Sequence, residues 1–549
     1  MTNPSAPVYG IDLGTTFSCI ARIDEYGRPE AIHNANGSPT TPSVVYFENE
    51  GQIIVGQDAK NNLKMYPERC KDLVKRDMGV KGARFLLDGK EYTPEEISSY
   101  ILRKLVNDAE QSLGGIKIKD VVITCPAYFG VNERDATAKA GEIAGLNVRS
   151  IINEPTAAAI AYGMLHEEDQ TVLVYDLGGG TFDITMIDMK GGPINLIATG
   201  GERTLGGRNW DEVIVNFLVN ELISQTGTLD NPLDNPETVQ ELFQKAEDAK
   251  ITLTNPNLSK VNVPIHYMGN MVKVTLTREL FDEMTAPLLE RTIDYTKQML
   301  EEAKQKGYSH FDQILLVGGS TYMPQVAARI KKEFGIEPKF NDPNQAVAKG
   351  AAIYGQKLMV DEAFERRKEE YEDKKLRGEA AIKPEDAVAQ ETGLSPTLVG
   401  TLRNIVISSV PSHTFGVKAK DSETDEILCV NLIFRNEQLP RDVKSQFGTE
   451  EPNMENAEIV ILESDYLEKK VPLSSCKEIK NAMLSLPPGL PARSPIEITF
   501  QMDTEGRLHV TAVECTQGRS VEVDVQTEGV ITQEELAEAK ERSSNMVVL

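Results

Sequence analysis

Two segments of this chain carry the same run of chemically useful residues. Tyr9-Gly10-Ile11-Asp12-Leu13-Gly14-Thr15-Thr16 lies near the start, and Val174-Tyr175-Asp176-Leu177-Gly178-Gly179-Gly180-Thr181 lies in mid-chain. Each joins an apolar strand-like run to a second one, Phe17 to Ile23 and Phe182 to Ile187. Each therefore reads as a β-hairpin whose Gly-rich, Thr-bearing tip follows one carboxylate. Glycines let backbone N–H groups approach phosphate oxygens, Thr hydroxyls add donors, and a carboxylate at a strand end can hold Mg2+ through its water shell. One such tip alone is an ordinary hairpin turn. Two with the same Asp-Leu-Gly order suggest a duplicated fold whose halves grip one nucleotide from opposite sides, with Asp12 and Asp176 facing a shared metal. Neither GxxxxGK[ST] nor GxGxxG occurs, which disfavours P-loop and dinucleotide-binding sites.

A third Gly-rich turn, Val317-Gly318-Gly319-Ser320-Thr321, follows a buried-type strand and precedes a helical pattern. Alone it is a strand-to-helix connection; beside two phosphate hairpins it becomes the adenosine-side loop.

The elements that must position these tips follow from the texture of the chain. From Val8 to about Tyr354, apolar β-rich runs alternate with helical patterns, an α/β signature. At Asp361 a mixed-sign run begins that reads as an exposed helix, broken by Gly378, with a second short helical pattern from Pro384 to Gln390. From about Asn404, short strand-like runs separated by polar turns indicate an all-β domain: Thr414 to Lys418, Ile427 to Phe434, Ala457 to Leu462, Ile496 to Met502, Leu508 to Val513 and Val521 to Val525. Thr532 with Glu535 three residues later is a capping-box pattern that opens a final helix. The division expected is 1–360, 361–403 as a charged helical insertion and linker, 404–529 as the β domain, and 530–549 as the start of a truncated lid helix.

At 549 residues the chain exceeds one compact core. The 84 Asp and Glu against 58 Lys and Arg give a net charge of −26, which argues against sequence-blind binding to nucleic acid or anionic lipid. No run approaches the ~18 apolar residues of a membrane helix, and the polar Met1 to Pro7 start has no leader pattern, so the cytoplasm is the default location. The six cysteines and six histidines are scattered, without CxxC or HExxH, and suggest free thiols and no zinc.

Asp12-Leu-Gly-Thr-Thr, Asn153-Glu154-Pro-Thr through Gly163, Asp176 through Asp183, Leu205-Gly-Gly207 and Val317-Gly-Gly-Ser-Thr together resemble the ATPase domain of the 70-kDa heat-shock (DnaK-like) chaperones. More weakly, Leu432 to Pro440 and Ser485 to Gly489 are similar to that family's substrate-binding domain. The resemblance implies an actin-like, ribonuclease H-like duplicated ATPase domain followed by a β-sandwich. It also implies ATP or ADP as ligand, with Mg2+ and with K+ as a further cation. Residue by residue, Gly14, Thr15, Thr16, Gly178, Gly179, Gly180 and Thr181 would cradle the phosphates, while Asp12 and Asp176 would position Mg2+. Lys75 matches the family's γ-phosphate lysine. Glu154 matches a carboxylate near the attacking water, and Glu154, Asp176 and Asp183 all stay open as the proton acceptor. On the adenosine side, Glu247, Lys250, Thr254, Gly318, Gly319 and Ser320 match, but Ile251 and Tyr322 stand where many members have arginine and Asn344 where an acid is common. In the β domain, Phe415, Val417, Phe447, Ala457 and Ile459 would line a peptide cleft, although alternating apolar residues also face the core of any sandwich. The linker matches Ile405 to Val410, with Ser409 in place of its acid.

These residues imply an ATP-hydrolysing chaperone for exposed hydrophobic segments of unfolded polypeptides, with J-domain and nucleotide-exchange partners implied by the resemblance alone. A regulatory or scaffold ATPase whose β domain docks one folded partner is the alternative, and a small-molecule kinase is a third reading.

Overall fold

The computed structural model describes residues 7–164, 169–190, 193–267, 269–377, 382–421, 424–504, 506–524 and 531–549. The polar start up to residue 6, Gly378, Val525 and the boundary at 529–530 lie outside them.

Two sheets carry the two hairpins, and they have one topology. In the first, Tyr9–Asp12 pairs antiparallel with Phe17–Ile23, which pairs with Pro29–Ala31, while Asp120–Cys125 and then Asn147–Asn153 add in parallel on the other side. In the second, Thr171–Leu177 pairs antiparallel with Phe182–Asp188, which pairs with Ile194–Glu202, while Gln313–Val317 and Lys339–Phe340 add in parallel. Parallel strands need crossovers, and in the first sheet these are the helices Val131–Ile143 and, before it, Pro94–Ser112. Thr93 starts the latter as an N-cap, its hydroxyl accepting from the Glu96 N–H, with Pro94 at the first helical position.

Helices Glu154–Gly163 and Ala346–Leu376 fill the space between the two sheets, and their apolar residues merge with Val8 and Val122 of one sheet and Val172 and Val174 of the other into one core. The helices meet closely because a Cβ at Gly350 would sit 1.7 Å from the Ala157 carbonyl oxygen.

The 361–403 stretch is woven into this core. The helix that starts at Ala346 runs without a break through residue 360 to Leu376. Helix Pro384–Thr392 and a further helix, Pro396–Asn404, pack back on it and bury Val388, Ala389, Val399 and Leu402. Gly393, Pro396 and Gly400 are of types that usually break helices. Pro396 instead occupies a first helical turn, where it is tolerated, and Ser395 caps it.

Beyond the linker, two antiparallel sheets form a sandwich. One holds Lys470–Pro472, Ile427–Ile433, Thr414–Lys420, Asn456–Ser464 and Lys477–Ser485 in that spatial order; the other holds Arg441–Gly448, Pro495–Met502, Leu508–Glu514 and Ser520–Asp524. The strand at Arg441 is mostly polar, and only Val443 and Phe447 of it pack on the core, so its apolar alternation is weak in sequence.

Both ends of the β domain return to the α/β domain. Ile407–Ser408 of the linker adds as a parallel edge strand beside Ile194 and Asn195, with Ile405 and Val410 buried in the core. The final helix, Gln533–Asn545, has the expected capping box between Thr532 and Glu535. It buries Leu536 and Ala539 against Ile143, and Arg542 forms a two-pronged pair with the buried Glu96, 3.0 and 2.8 Å. Val547–Val548 then pairs in parallel with Gln52–Ile53. The segment expected to begin a lid thus seats on the first half of the α/β domain. Among the described residues, no helix is long and apolar enough to cross a membrane.

Candidate functional site

The two hairpin tips face each other across a cleft of about 400 Å³ between the halves. Their approach is close: a Cβ at Gly179 would fall 1.8 Å from Thr16 Oγ1, and one at Gly180 2.5 Å from Thr15 Cγ2. Only glycine fits there. Gly14, Thr15 and Thr16 of one tip and Gly178, Gly179 and Thr181 of the other line the cleft. Gly180 lies behind them, its carbonyl accepting from Arg76 at 3.1 Å. The second tip is further held by the start of helix Gly207–Thr226, where Gly207 N–H donates to the Gly178 carbonyl at 3.0 Å and Arg208 N–H to that of Gly179 at 2.9 Å. Ser320 in the third Gly-rich turn also donates to the Gly178 carbonyl, at 2.9 Å.

At the cleft floor Lys75 Nζ meets Glu154 Oε1 at 2.5 Å, both side chains being buried. Lys75 sits in a 3-10 turn, Val74–Asp77, entered through Leu73 in the left-handed region at φ 54°. Around the pair stand Asp12, whose Oδ1 accepts from Thr124 at 3.2 Å, and Asp176. Asp183 stands one layer back and does not line the cleft; its Oδ1 accepts from the Tyr128 N–H at 3.1 Å. Burial, followed by the charge of Glu154, pushes Asp12 and Asp183 up to about 7 and Asp176 well above the usual carboxylate range. Burial works against the charge of Lys75, but Glu154 and Asp12 outweigh it and raise its pKa.

One ammonium therefore serves four carboxylates. Such a site calls for a further cation, and the donors offered are oxygens, the chemistry Mg2+ prefers. No three of the metal-ligating side chains among the described residues converge closely enough to hold an ion by themselves. The arrangement suits an ion held through water and phosphate oxygens.

The other end of the cleft is lined by Glu247, Lys250, Thr254, Gly318, Gly319 and Ser320, as expected, and also by Ile251, Tyr322 and Asn344. Ile251 and Tyr322 are exposed, so neither is a core residue. Tyr322 is held flat by Phe340, ring centroids 5.7 Å apart and planes 7° from parallel. Glu247 is bound to Lys60 at 2.6 Å and Lys250 to Asp211 at 2.7 Å. The sequence reading missed Lys60 and Lys64, which bridge from the first half to Glu247 and Glu241 of the second. It also missed Arg208, stacked 3.5 Å over Phe243 in the cleft wall. Arg208 directly follows the quoted Leu205-Gly-Gly207 turn, which was the available signal; Lys60 and Lys64 carry none, because their partners are far away in sequence.

In the β domain, Phe415, Val417, Ala457 and Ile459 are buried in the sandwich core, and Phe447 packs at its edge.

The fold is thus a pair of sheets of one topology around a cleft lined by two Gly-rich hairpin tips, followed by a β-sandwich whose linker adds an edge strand to the second sheet. The family model described as "Hsp70 protein" matches residues 8–86, 81–367 and 368–547. The chain is 37% identical over 538 residues to proteins named "Chaperone protein DnaK" from Thermotoga petrophila and Thermotoga maritima, covering 96% of this chain and 82% of theirs. The same identity and coverage hold for that of Thermotoga neapolitana. The chain belongs to the Hsp70 family. It is an ATP-dependent molecular chaperone and an ATPase.

Proposed function

We propose that the cleft hydrolyses ATP with the residues named above, and that the β domain takes up extended apolar segments of unfolded polypeptides. The observation that carries the first part is the buried Lys75–Glu154 pair among Asp12, Asp176 and Asp183. Phosphoryl transfer to water has a loose transition state, so positioning and charge neutralisation do most of the work. Thr15, Thr16, Gly179 and Thr181 offer backbone N–H or hydroxyl donors to the phosphates, while Gly14 and Gly178, whose N–H groups donate to Ser18 Oγ and the Thr181 carbonyl, shape the tips around them with Gly180. Lys75 leaves Glu154 for the transferring phosphate. Glu154, so released, joins Asp176 and Asp183 as a group able to orient water and accept its proton. Asp12 and Asp176 would hold Mg2+ through its water shell, and the ion would supply positive charge to the phosphate oxygens. Ile251 and Tyr322 flank the base, while Glu247, Lys250 and Thr254 serve the ribose and base edge.

For the second part, Phe415, Val417, Phe447, Ala457 and Ile459 supply apolar contacts. Four of the five are buried, so a peptide must part the sandwich to reach them. J-domain and nucleotide-exchange proteins are the partners this reading implies, in the cytoplasm, with nucleic acid excluded by the charge of −26.

Anisotropy of a labelled Leu-rich peptide tests it. Binding with ADP and release on ATP is the expected outcome; absence of binding in both states would overturn the peptide reading in favour of a scaffold ATPase.

A further inference from the structure

The strongest unassigned feature is where the β domain meets the ATPase domain. His413, just ahead of strand Thr414–Lys420, is only 12% exposed there. Its Nδ1 lies 2.8 Å from Asp465 Oδ1 and its Nε2 lies 3.2 Å from the backbone carbonyl oxygen of Tyr128, across the seam. Its ring also packs edge-on against that of Tyr128 at 4.7 Å. A carboxylate and a carbonyl both accept and neither donates. Both ring nitrogens must therefore carry hydrogen, which only the charged imidazolium does.

The surroundings explain why the seam holds this charge. Glu463 from the β domain and Glu133 from helix Val131–Ile143 are buried face to face at Gly130: a Cβ there would sit 2.5 Å from Glu463 Oε1 and 3.0 Å from Glu133 Oε2. Glu463 Oε1 is 3.4 Å from His413 Nε2. Oε2 of each glutamate is buried without a hydrogen-bond partner. Among the described residues, the other charges paired with these seam carboxylates are Arg203, 2.8 Å from Glu133, and Lys477, 3.4 Å from it. Asp465 and Lys477 stand at the rim, about half exposed. Arg435 pairs with Glu302 and Arg291 with Glu202, so these balance themselves; Tyr295, near Asp465, is neutral. With His413 charged, Glu133, Glu463 and Asp465 are matched by His413, Arg203 and Lys477. With His413 neutral, one negative charge is left over in a largely buried seam, at substantial cost.

We infer that this seam is a proton-binding site: docking of the β domain takes up a proton on His413, so falling pH favours the docked arrangement. Undocked, His413 keeps Asp465 and Glu463 but loses the Tyr128 carbonyl and the nearby Glu133, and gains water. Burial lowers the pKa of His413, but the charges of Glu463 and Asp465 outweigh it and hold it above 6.5. The Tyr128 carbonyl, an acceptor that only docking supplies, holds the proton on Nε2, so docking weakens as pH rises through the titration of His413.

Small-angle scattering of the full chain with saturating ATP and no peptide, from pH 5.5 to 8.5, reads the docked fraction. It rests on the seam alone and not on the peptide cleft. The docking constant should fall with rising pH, by at most tenfold per unit for one proton. His413→Gln, neutral throughout, should flatten the profile. Glu133→Gln removes one seam carboxylate and should keep the chain docked at pH 8.5. A flat parent profile, or a His413→Gln profile with the parent's slope, overturns the inference. If His413→Gln stays undocked at every pH, Glu133→Gln decides: a midpoint equal to the parent's overturns it as well.

Discussion

The two halves of the ATPase domain are built from one sheet and one hairpin but end differently at the outer edge. In the first half the third antiparallel strand is the three-residue Pro29–Ala31, and its leading proline has no N–H to offer a neighbour. In the second half the corresponding strand, Ile194–Glu202, runs nine residues, and its Ile194 N–H donates to the Val406 carbonyl at 2.7 Å. The linker therefore has one sheet edge open to it, and it is the edge of the half that holds Asp176. Duplication makes the site nearly symmetric; the unequal edges make its output one-sided. The first half receives the chain in another way, through the terminal helix and the strand Val547–Val548 on a separate side sheet.

Three experiments test that contrast. The largest effect belongs to the floor of the shared cleft. Lys75→Ala should lower the rate of phosphate release roughly 10²–10³-fold while nucleotide affinity changes little, because one point charge aimed at the transferring phosphate matters most in the transition state. Near-normal turnover would remove Lys75 from the site.

Next comes the open edge. Ile407→Asp places a carboxylate in the half-buried linker strand and should leave basal hydrolysis intact. The ATP-induced change in peptide affinity should shrink by roughly 5–150-fold, the usual range of a coupling energy of ~1–3 kcal/mol. Unaltered coupling would mean that the second half's edge is not the route.

The smallest effect is on stability. Asp12 is pushed up to about 7 by burial and by Glu154, against 3.8 ordinarily. Below pH 3.8 the carboxyl is protonated whether the chain is folded or not, so nothing is lost. Between 3.8 and about 7 only the unfolded chain ionises freely, and stability falls with rising pH. Asp12→Asn should thus raise the Tm of the nucleotide-free protein by a few degrees above pH 7, about 2–4 °C per kcal/mol, and by nothing near pH 4. A lower Tm at pH 8 would show that Asp12 is not strained by its neighbours.

Much of this was legible in the chain. The hairpins around Asp12 and Asp176 appear at the expected residues because their apolar strands and Gly-rich tips are local signals. The capping box at Thr532 and Glu535 formed for the same reason. Strand Arg441–Gly448 was not legible because its polar side chains hide the period of two. The helix Pro396–Asn404 was hidden by Pro396 and Gly400, which read as breakers until Ser395 is seen capping the turn. The histidines offered no motif at all, and His413 meets the Tyr128 carbonyl, 285 positions away, only in the folded chain.

Local residue order was enough to show the two hairpins and their Asp-Leu-Gly tips, since apolar strands and Gly-rich turns are signals a few positions long. Only the tertiary structure decided where the ends of the β domain attach and how the seam is charged. Edge pairing and burial depend on which backbones and charges meet in space, and residues more than a hundred positions apart carry no local trace of that meeting.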